Sequence, residues 1–253
     1  IQFPDKNLDA ALRALVFEKR DNTEELTEDD LRKISTIDAK NRGIQNLAGL
    51  EHCSNLLLLD LTGNEVSDLA PIKGLVNLQS LTLANNKITD LVPLMELDKL
   101  QYLNLTGNQL RLLQPLSAMT KRSALYLAEN QIENVAPLAG LKRLSSLDLA
   151  KNKIDDITPL ENIPRLNVLK LSDNAVADLG PATAHPPQSM LIIERNKIED
   201  LQPLVSAAKA DAEGQKSFAP FLRLYLEGNP LSETAKTQQL AELKSAGVRI
   251  ENQ

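Results

Sequence analysis

Two columns of polar residues recur along this chain at an interval of 22 residues. One column consists of asparagines, and the other of aspartates: Asn64, Asn86, Asn108, Asn130, Asn152, Asn174 and Asn196; Asp68, Asp90, Asp156, Asp178 and Asp200. Five carboxylates would suit Ca²⁺, which takes oxygen ligands. Short polar side chains at fixed places in a repeat also bond the backbone of local turns. We favour this structural interpretation for both columns, and we expect no metal and no cofactor.

The other residue types that could do chemistry are scarce. His52 and His185 are far apart in sequence, and they fall where neither a metal cluster nor a triad is indicated. The chain has no G-x-S-x-G, no Gly-rich phosphate loop and no C-x-x-C. Its one cysteine, Cys53, occupies an inward position and is predicted to be a buried thiol. The sequence therefore predicts no catalytic residues and no enzyme.

Composition limits the classes of partner. A net charge of −6 and a pI near 5.1 argue against a nucleic-acid binder, which would need a basic stripe. No apolar run approaches the ~18 residues of a membrane span, and we expect a monomer. No signal peptide is visible at Ile1, so the protein is either cytosolic or processed.

The polar columns belong to a repeat whose clearest copy is 78–99, LQSLTLANNKITDLVPLMELDK. A column of prolines follows the same 22-residue interval, from Pro71 to Pro203. The spacing L-x-x-L-x-L-x-x-N-x-L at a period of roughly 20–29 residues is typical of leucine-rich repeats. The predicted fold is α/β: a leucine-rich-repeat solenoid, a right-handed horseshoe with a parallel concave sheet and a convex side of 3₁₀ or extended segments.

One copy of the repeat cannot fold alone. Burying about seven apolar side chains gives roughly 10–15 kcal/mol. Ordering 22 residues of backbone opposes this with roughly 1–2 kcal/mol per residue. Stacking on neighbouring copies is therefore obligatory, and the end copies need covers.

Departures from the repeat define the expected domains. Residues 1–33 predict a helical N-terminal cap, with helices beginning after Asp5 and Thr27. Nine repeats span 34–231 in one elongated domain, and 232–253 form a C-terminal cap. The C-terminal cap is predicted to hold a helix over 232–245 that turns Leu240 and Leu243 inward.

An insertion lies within 204–220, since Asn229 comes 33 residues after Asn196. Its composition predicts an Ala-rich helix followed by a polar loop. We expect a surface excursion that contributes little to the core, with Phe218 and Phe221 anchoring its return.

Two stretches, FPDKNLDAALRAL and LTEDDLRKISTIDAKNRGIQNLAGLEHCSNLLLLDLTGNEVSDLAPIKGL, resemble the helical cap and first repeats of bacterial internalin-type proteins. The unit L-x-x-L-x-L-x-x-N-x-I-x-D-L-x-P-L-x-x-L is similar to the internalin repeat as well. The resemblance implies a bacterial protein, secreted or at the cell surface, that binds other proteins through its concave sheet. A role in virulence is not carried over, since no sorting signal or anchor is visible.

Strand alternation gives the candidate binding residues. Side chains between the inward leucines face solvent on the concave sheet, and all three tyrosines of the chain fall there. The predicted site for a protein partner of unknown identity comprises Asp60, Tyr102, Asn104, Tyr126, Asp148, Lys170, Ile192, Glu194 and Tyr225.

Two other classes of function stay open at this point. Intracellular regulatory subunits, such as those of phosphatases, also use 22-residue repeats and bind an enzyme through the concave face. A structural spacer without a specific ligand is the third class. The internalin-like cap favours the first reading over the regulatory subunit.

Overall fold

The structure is a computed structural model that describes residues 1–121 and 123–251. Its contacts divide the chain into two compact units, which we call the first unit (1–121) and the second unit (123–251). The division into cap, repeats and cap stays a prediction.

Each unit contains parallel strands of three residues, each paired with the next strand of its unit. The first unit holds β1 Thr36–Asp38, β2 Leu58–Asp60, β3 Ser80–Thr82 and β4 Tyr102–Asn104. The second holds β5 Ala124–Tyr126, β6 Ser146–Asp148, β7 Val168–Lys170, β8 Met190–Ile192, β9 Arg223–Tyr225 and β10 Arg249–Glu251. Within each unit, strand positions 22 residues apart lie side by side up to β8, for example Leu59 and Leu81, so the predicted repeat is confirmed.

The apolar positions of each copy form the core. In the copy at 78–99, all seven predicted inward side chains are at most 1% exposed: Leu78, Leu81, Leu83, Ile88, Leu91, Leu94 and Leu97. The Cys53 thiol is also buried, and desolvation raises its pKa to about 12, so it is an inert part of the core.

The buried asparagines join successive copies. Asn86 Oδ1 accepts the Val66 N–H of the preceding copy at 2.9 Å. Its Nδ2 donates to Leu61 O of that copy and to Leu83 O and Ala84 O of its own. The same pattern of bonds recurs at Asn108, Asn152, Asn174 and Asn196. The predicted structural role of this column is confirmed.

The side of each copy opposite the strand is a 3₁₀ turn in six copies: Leu50–His52, Ala70–Ile72, Val92–Leu94, Gln114–Ala118, Ala136–Leu138 and Thr158–Asn162. Proline stands at the first or second position of all but the first turn, where no backbone donor is needed. In the next copy the prediction of a 3₁₀ or extended segment is wrong, because α3 (Gly180–Thr183) is α-helical. The copy after it contains α4 (Gln202–Glu213), which confirms the Ala-rich helix predicted for the insertion.

The insertion contributes more to the core than the sequence predicted. Helix α4 buries Leu204, Val205 and Ala208, because the added residues give this copy room for three turns of α-helix. Phe218 is buried as expected, but Phe221 is 61% exposed and Leu222 is fully buried in its place. A tight turn, in which the N–H groups of residues 221 and 222 both bond Phe218 O, shifts the inward position by one residue.

Asp211 fixes the end of the insertion. Its carboxylate accepts N–H bonds from Ser217, Phe218 and Ala219 at 2.8–3.1 Å, and the Ser217 hydroxyl at 2.7 Å. Desolvation raises its pKa, but these four bonds outweigh it and lower the pKa to about 2.

Asp211→Asn should destabilise the protein by about 1–2 kcal/mol at pH 7, since an amide cannot accept all four bonds. A lowered pKa in the folded state means that the stabilisation is present above pH ~4 and is lost as the pH falls towards 2. In denaturant melts, the difference in free energy of unfolding between wild type and variant should therefore be smaller at pH 2.5 than at pH 7. Asp98→Asn, at an exposed site, is the control and should show no gap at either pH. A gap that does not change with pH would contradict this account.

The aspartate column closes the turn before each outer segment. Oδ1 of each accepts the N–H of the residue two positions later, at 2.7–3.0 Å, in Asp68, Asp90, Asp156, Asp178 and Asp200. The predicted local role is confirmed for all five. Asn134 makes the same bond in its copy, whereas Leu112 occupies the position in another copy and is 76% exposed.

Leu112→Asp should therefore stabilise the protein, by about 0.5–1 kcal/mol, as a cap of comparable geometry does. The exposed leucine loses little buried area, and the new carboxylate can accept the Gln114 N–H. Denaturant melts of Leu112→Asp and of Leu112→Ala separate the added bond from the removed apolar surface. Equal stability in the two variants would show that the bond does not form.

The N-terminal segment forms the two predicted helices, α1 (Lys6–Arg13) and α2 (Glu28–Arg32). Asp5 caps α1, and Thr27 and Asp30 form a capping box on α2. Hydrogen bonds from Thr27 are the main reason that the pKa of Asp30 falls to about 2.

In the C-terminal helix, the residues that face the core differ from those predicted. A π-helical turn, Ala235–Gln239, precedes α5 (Leu240–Ser245). The π turn rotates Gln239 inward, where its Oε1 accepts the Leu201 N–H at 2.8 Å. Leu243 is buried as expected, but Leu240 is only half-buried, so its assignment to the core was wrong. No described helix is long and apolar enough to cross a membrane.

Candidate protein-binding face

The candidate residues lie on the side of the strands that faces away from the core. In each strand the first and third residues, and the residue two positions beyond, point to this side, which we call the open face. The middle residue is buried in every strand from β1 to β9. Strand pairing sets these positions side by side, so each unit presents three columns of side chains on its open face.

In the first unit the open face carries Asp60, Tyr102 and Asn104, all half-buried. Asp60 accepts the Thr62 N–H and hydroxyl, and Asn104 accepts the Thr106 N–H at 3.0 Å. Asp60 also lies 3.2 Å from Lys40 Nζ. Part of the polarity at these positions is therefore used to close the strand ends.

Lys40 is held between two carboxylates on the same face. Hydrogen bonds to Asp38 and to Asp60, at 3.1 and 3.2 Å, raise the pKa of Lys40. The ammonium group is exposed, and the cluster of one lysine and two carboxylates keeps a net negative charge.

In the second unit an ion pair joins β6 to β7. Asp148 is only 9% exposed, and its carboxylate accepts the Ala150 N–H at 3.1 Å and lies 3.2 Å from Lys170 Nζ. The two residues occupy equivalent positions in neighbouring copies and are paired in register. Glu194, two residues beyond β8, lies 3.6 Å from Arg195.

Arg195 belongs to a ladder at the ends of the strands. Its guanidinium donates two bonds to Asp173 at 2.6 and 2.8 Å, which raise its pKa further above the usual range. Lys151 pairs with Glu129 at 2.8 Å in the same column. These four residues have a left-handed backbone with φ near +55°, so the ladder offsets some of the strain of non-glycine residues there.

Tyr126 lies among small side chains. Its hydroxyl is 3.5 Å from Ser146 Oγ, and Ala124, Ala128 and Ala150 stand around it in the columns. A half-buried aromatic ring among alanines offers a flat contact surface with a polar tip.

The centre of the second unit's open face is apolar. Ile192 stands between Lys170 and Tyr225 in register, and Val168 and Met190 lie beside them at the first position of β7 and β8. Strand alternation places Val168 and Met190 in these columns, but the predicted site did not include them. Their alternation with buried leucines, together with their apolar character at solvent-facing positions, was the signal that could have identified them.

Tyr225 is held by its neighbour on the strand. The Arg223 guanidinium lies 5.5 Å from the Tyr225 ring centre and donates to the Tyr225 hydroxyl. Arg223 also pairs with Glu251 of β10 at 3.0 Å. The aromatic ring is therefore positioned before any partner arrives.

Ser172, on the same face, is unusual. It is 6% exposed, and its hydroxyl is the one buried side-chain polar atom without a hydrogen bond among the described residues. The equivalent positions in the two preceding copies are Ala128 and Ala150.

The second unit thus gathers Tyr126, Asp148, Lys170, Ile192, Glu194 and Tyr225 on the open face of five consecutive strands. Asp60, Tyr102 and Asn104 lie in the first unit. Residues 1–121 and 123–251 contain no group of three or more side chains arranged to hold a metal ion. The arrangement offers contact area, hydrogen bonds and charge pairs, which suit recognition.

Comparison with known proteins agrees with this architecture. The leucine-rich repeats (2 copies) family matches residues 76–118 and 124–162. Among solved structures, an internalin C2 from Listeria monocytogenes is 33% identical, with a TM-score of 0.76 over 80% of this chain and 89% of that chain. No significant match is found among curated proteins.

Two further structures share the fold. The functional domain of InlJ from Listeria monocytogenes is 24% identical, with a TM-score of 0.69 over 91% of this chain and 52% of that one. A leucine-rich-repeat protein of Leptospira interrogans is 25% identical, with a TM-score of 0.67 over 80% of this chain and 50% of that one. With the helical cap, the 22-residue repeats and the match to internalin C2, the chain belongs to the internalin family of leucine-rich-repeat proteins.

Proposed function

We propose that this chain is a non-enzymatic recognition module whose second unit binds a protein partner through its open face. The observation that carries the proposal is the apolar centre formed by Val168, Met190 and Ile192, with positioned polar groups around it. Apolar anchors inside a polar rim are typical of protein interfaces. Repeat proteins of this fold commonly mediate protein–protein contacts, which supports the same class of function.

The rim is preorganised. The Asp148–Lys170 pair lies on one side of the apolar centre, and the Arg223–Tyr225 contact lies on the other. A partner would lose little free energy in ordering these side chains, since they are already held in place. The charge pattern would also select among partners.

The alternatives have less support. A spacer without a ligand does not explain Val168, Met190 and Ile192 on a solvent-facing surface. A regulatory subunit for an intracellular enzyme would use the same face, so the identity of the captured partner decides between them.

Photo-crosslinking tests the location of the site. A benzoylphenylalanine at position 192 should capture a protein from extracts of host or neighbouring bacterial cells, whereas the same group at exposed position 112 should not. The captured partner is then used in binding assays. Tyr126→Ala with Lys170→Glu should weaken its binding at least tenfold, about 1.4 kcal/mol. The double variant should still melt cooperatively, with some loss of stability because the new carboxylate at position 170 would face Asp148.

The control variant is Leu112→Arg, at an exposed position off the open face. Full binding by the double variant, with loss of binding in Leu112→Arg, would move the site away from the strands.

A further inference from the structure

We infer that the open face of β8–β10 takes a partner segment with a basic residue at one end, an apolar residue in the middle and an acidic residue at the other end. The inference rests on the proposed function and adds the chemistry of the partner. It comes from the distribution of charge along the strands, which runs in one direction.

Basic side chains stand at the strand starts and acidic side chains beyond the strand ends. Arg223 and Arg249 are paired in register at the first positions of β9 and β10. Ile192 and Tyr225 are paired in register at the third positions of β8 and β9. Glu194 and Glu227 follow two residues later on the same face. Read along β9, the surface is positive, then apolar, then negative, whereas β8 starts with Met190 and β10 has Glu251 at its third position.

Two of these charges are available to a partner. Arg223 pairs with Glu251 at 3.0 Å, and Glu194 lies 3.6 Å from Arg195. Arg249 and Glu227 are both exposed, and neither makes an ion pair with another residue of the described chain. Arg223 and Glu194 each lie close to an opposite charge, whereas Glu227 is attracted only at longer range by Arg195. Arg249 and Glu227 are therefore the charges most open to a partner, and they decide which partner charges are favoured.

The spacing of the two free charges sets the length of the partner segment. Their columns are four positions apart along the strands, or about 13 Å at about 3.3 Å per residue. The neighbouring strand adds about 4.8 Å sideways, so the separation is about 14 Å. An extended segment covers this distance with its charged residues four or five positions apart. One apolar side chain between them would then lie over Tyr225, with Ile192 on one side of that ring and Glu251 on the other.

The arrangement does not fix the chain direction of the partner. The open face presents side chains only, and strand hydrogen bonds run within the sheet. A segment reading basic–apolar–acidic and its reverse can both place their charges correctly. The open face therefore selects a partner segment with one basic and one acidic residue, in either chain direction.

A random peptide library displayed on phage tests the inference directly, because it samples every order of charges. Selection against the wild-type chain should enrich peptides with one basic and one acidic residue four or five positions apart around an apolar residue. Selection against Arg249→Glu should enrich peptides with two basic ends, and selection against Glu227→Lys should enrich peptides with two acidic ends. Lys153→Glu, outside the strands, is the matched control and should select the wild-type pattern.

The outcomes separate this inference from the proposed function. Suppose that the enriched peptides do not bind the Ile192→Arg chain, but carry the same charges whichever chain was used for selection. The open face would then remain the binding site, and the proposed charge pattern would be wrong. Enriched peptides indifferent to Ile192→Arg, or no enrichment at all, would overturn both. Thermal melts of the three charge variants should match wild type, since all three positions are exposed.

Discussion

Asn86→Ala should lower the free energy of unfolding by about 1–3 kcal/mol, although the residue contacts no ligand and lies off the open face. The side chain is 7% exposed and satisfies the buried N–H of Val66 together with three carbonyl groups. Alanine leaves the Val66 N–H without a partner in a place that water cannot reach, and such groups cost far more than exposed ones.

The control is Asn134→Ala, which removes the same amide from an exposed turn where it accepts one N–H at 2.8 Å. This variant should lose well under 1 kcal/mol, because water replaces the lost bond. Urea melts of both variants give the comparison. Equal losses would mean that the buried ladder is no more important than a surface turn.

Asn86→Asp sharpens the test. In this variant one carboxylate oxygen can still accept the Val66 N–H. The other oxygen replaces the amide Nδ2 and faces three carbonyl oxygens at about the distances of the present hydrogen bonds. Repulsion and burial of charge should make this variant at least as unstable as Asn86→Ala at pH 7. Partial recovery on acidification would show the carboxyl group becoming neutral.

The repeat could be predicted from the sequence because several types of residue recur at the same interval. Leucine positions, the Asn ladder and the Asp turns each follow a single interval, and each has a local physical reason. A copy that departs from the pattern is harder to predict. Phe221 occupies the place of an inward leucine, yet the turn at Phe218 shifts the inward position to Leu222.

The errors at the C-terminus have a similar origin. A helical period of 3.6 residues assigned Leu240 to the core, but the π-helical turn at Ala235–Gln239 changes the phase. The polar Gln239 goes inward because it finds the Leu201 N–H, a contact 38 residues away in sequence. Patterns read over a short window cannot contain such a contact.

The positions of the candidate residues could be predicted from the sequence, but not all of their charge partners could. Strand alternation put the named residues on the open face, and the pairing of Asp148 with Lys170 followed from adjacent copies. The partner of Glu194 did not follow, because Arg195 has a left-handed backbone that directs its side chain along the strand ends. Side-chain choices among several nearby charges depend on geometry that the repeat period does not encode.

Deleting residues 1–33 should abolish cooperative folding, the largest effect expected for this chain. Leu8, Leu12, Leu26 and Leu31 are all fully buried in this segment, and their burial contributes roughly 8 kcal/mol in total. The deletion also removes the entropy cost of ordering these 33 residues, so its net effect comes from the surface of the first repeat that it uncovers. The truncated chain would also expose Ile34, Ile37 and Ile44, which are now at most 6% exposed.

Specific contacts show that the segment is joined to the first repeat. Asp5 accepts the N–H groups of Gln45 and Asn46 at 2.7 and 3.0 Å, in addition to capping its own helix. The Phe3 ring lies so close to Gly49 that an added Cβ would come within 2.3 Å of it, and Gly49 has φ of +105°. Covering of this kind is what a terminal repeat requires.

Point variants measure the same effect without removing the segment. Leu12→Ala, at a fully buried position of α1, should cost about 2–5 kcal/mol, whereas Leu15→Ala, 47% exposed, should cost about 0.5 kcal/mol or less. Light scattering and circular dichroism melts of the truncated chain, beside these two variants, give the full series. A truncated chain that is soluble and melts sharply would contradict this prediction. It would mean that exposure of Ile34, Ile37 and Ile44 to water does not destabilise the first repeat. A large loss in Leu12→Ala with a small one in Leu15→Ala would instead locate the stability in the buried face of α1, where the fold of the repeats begins.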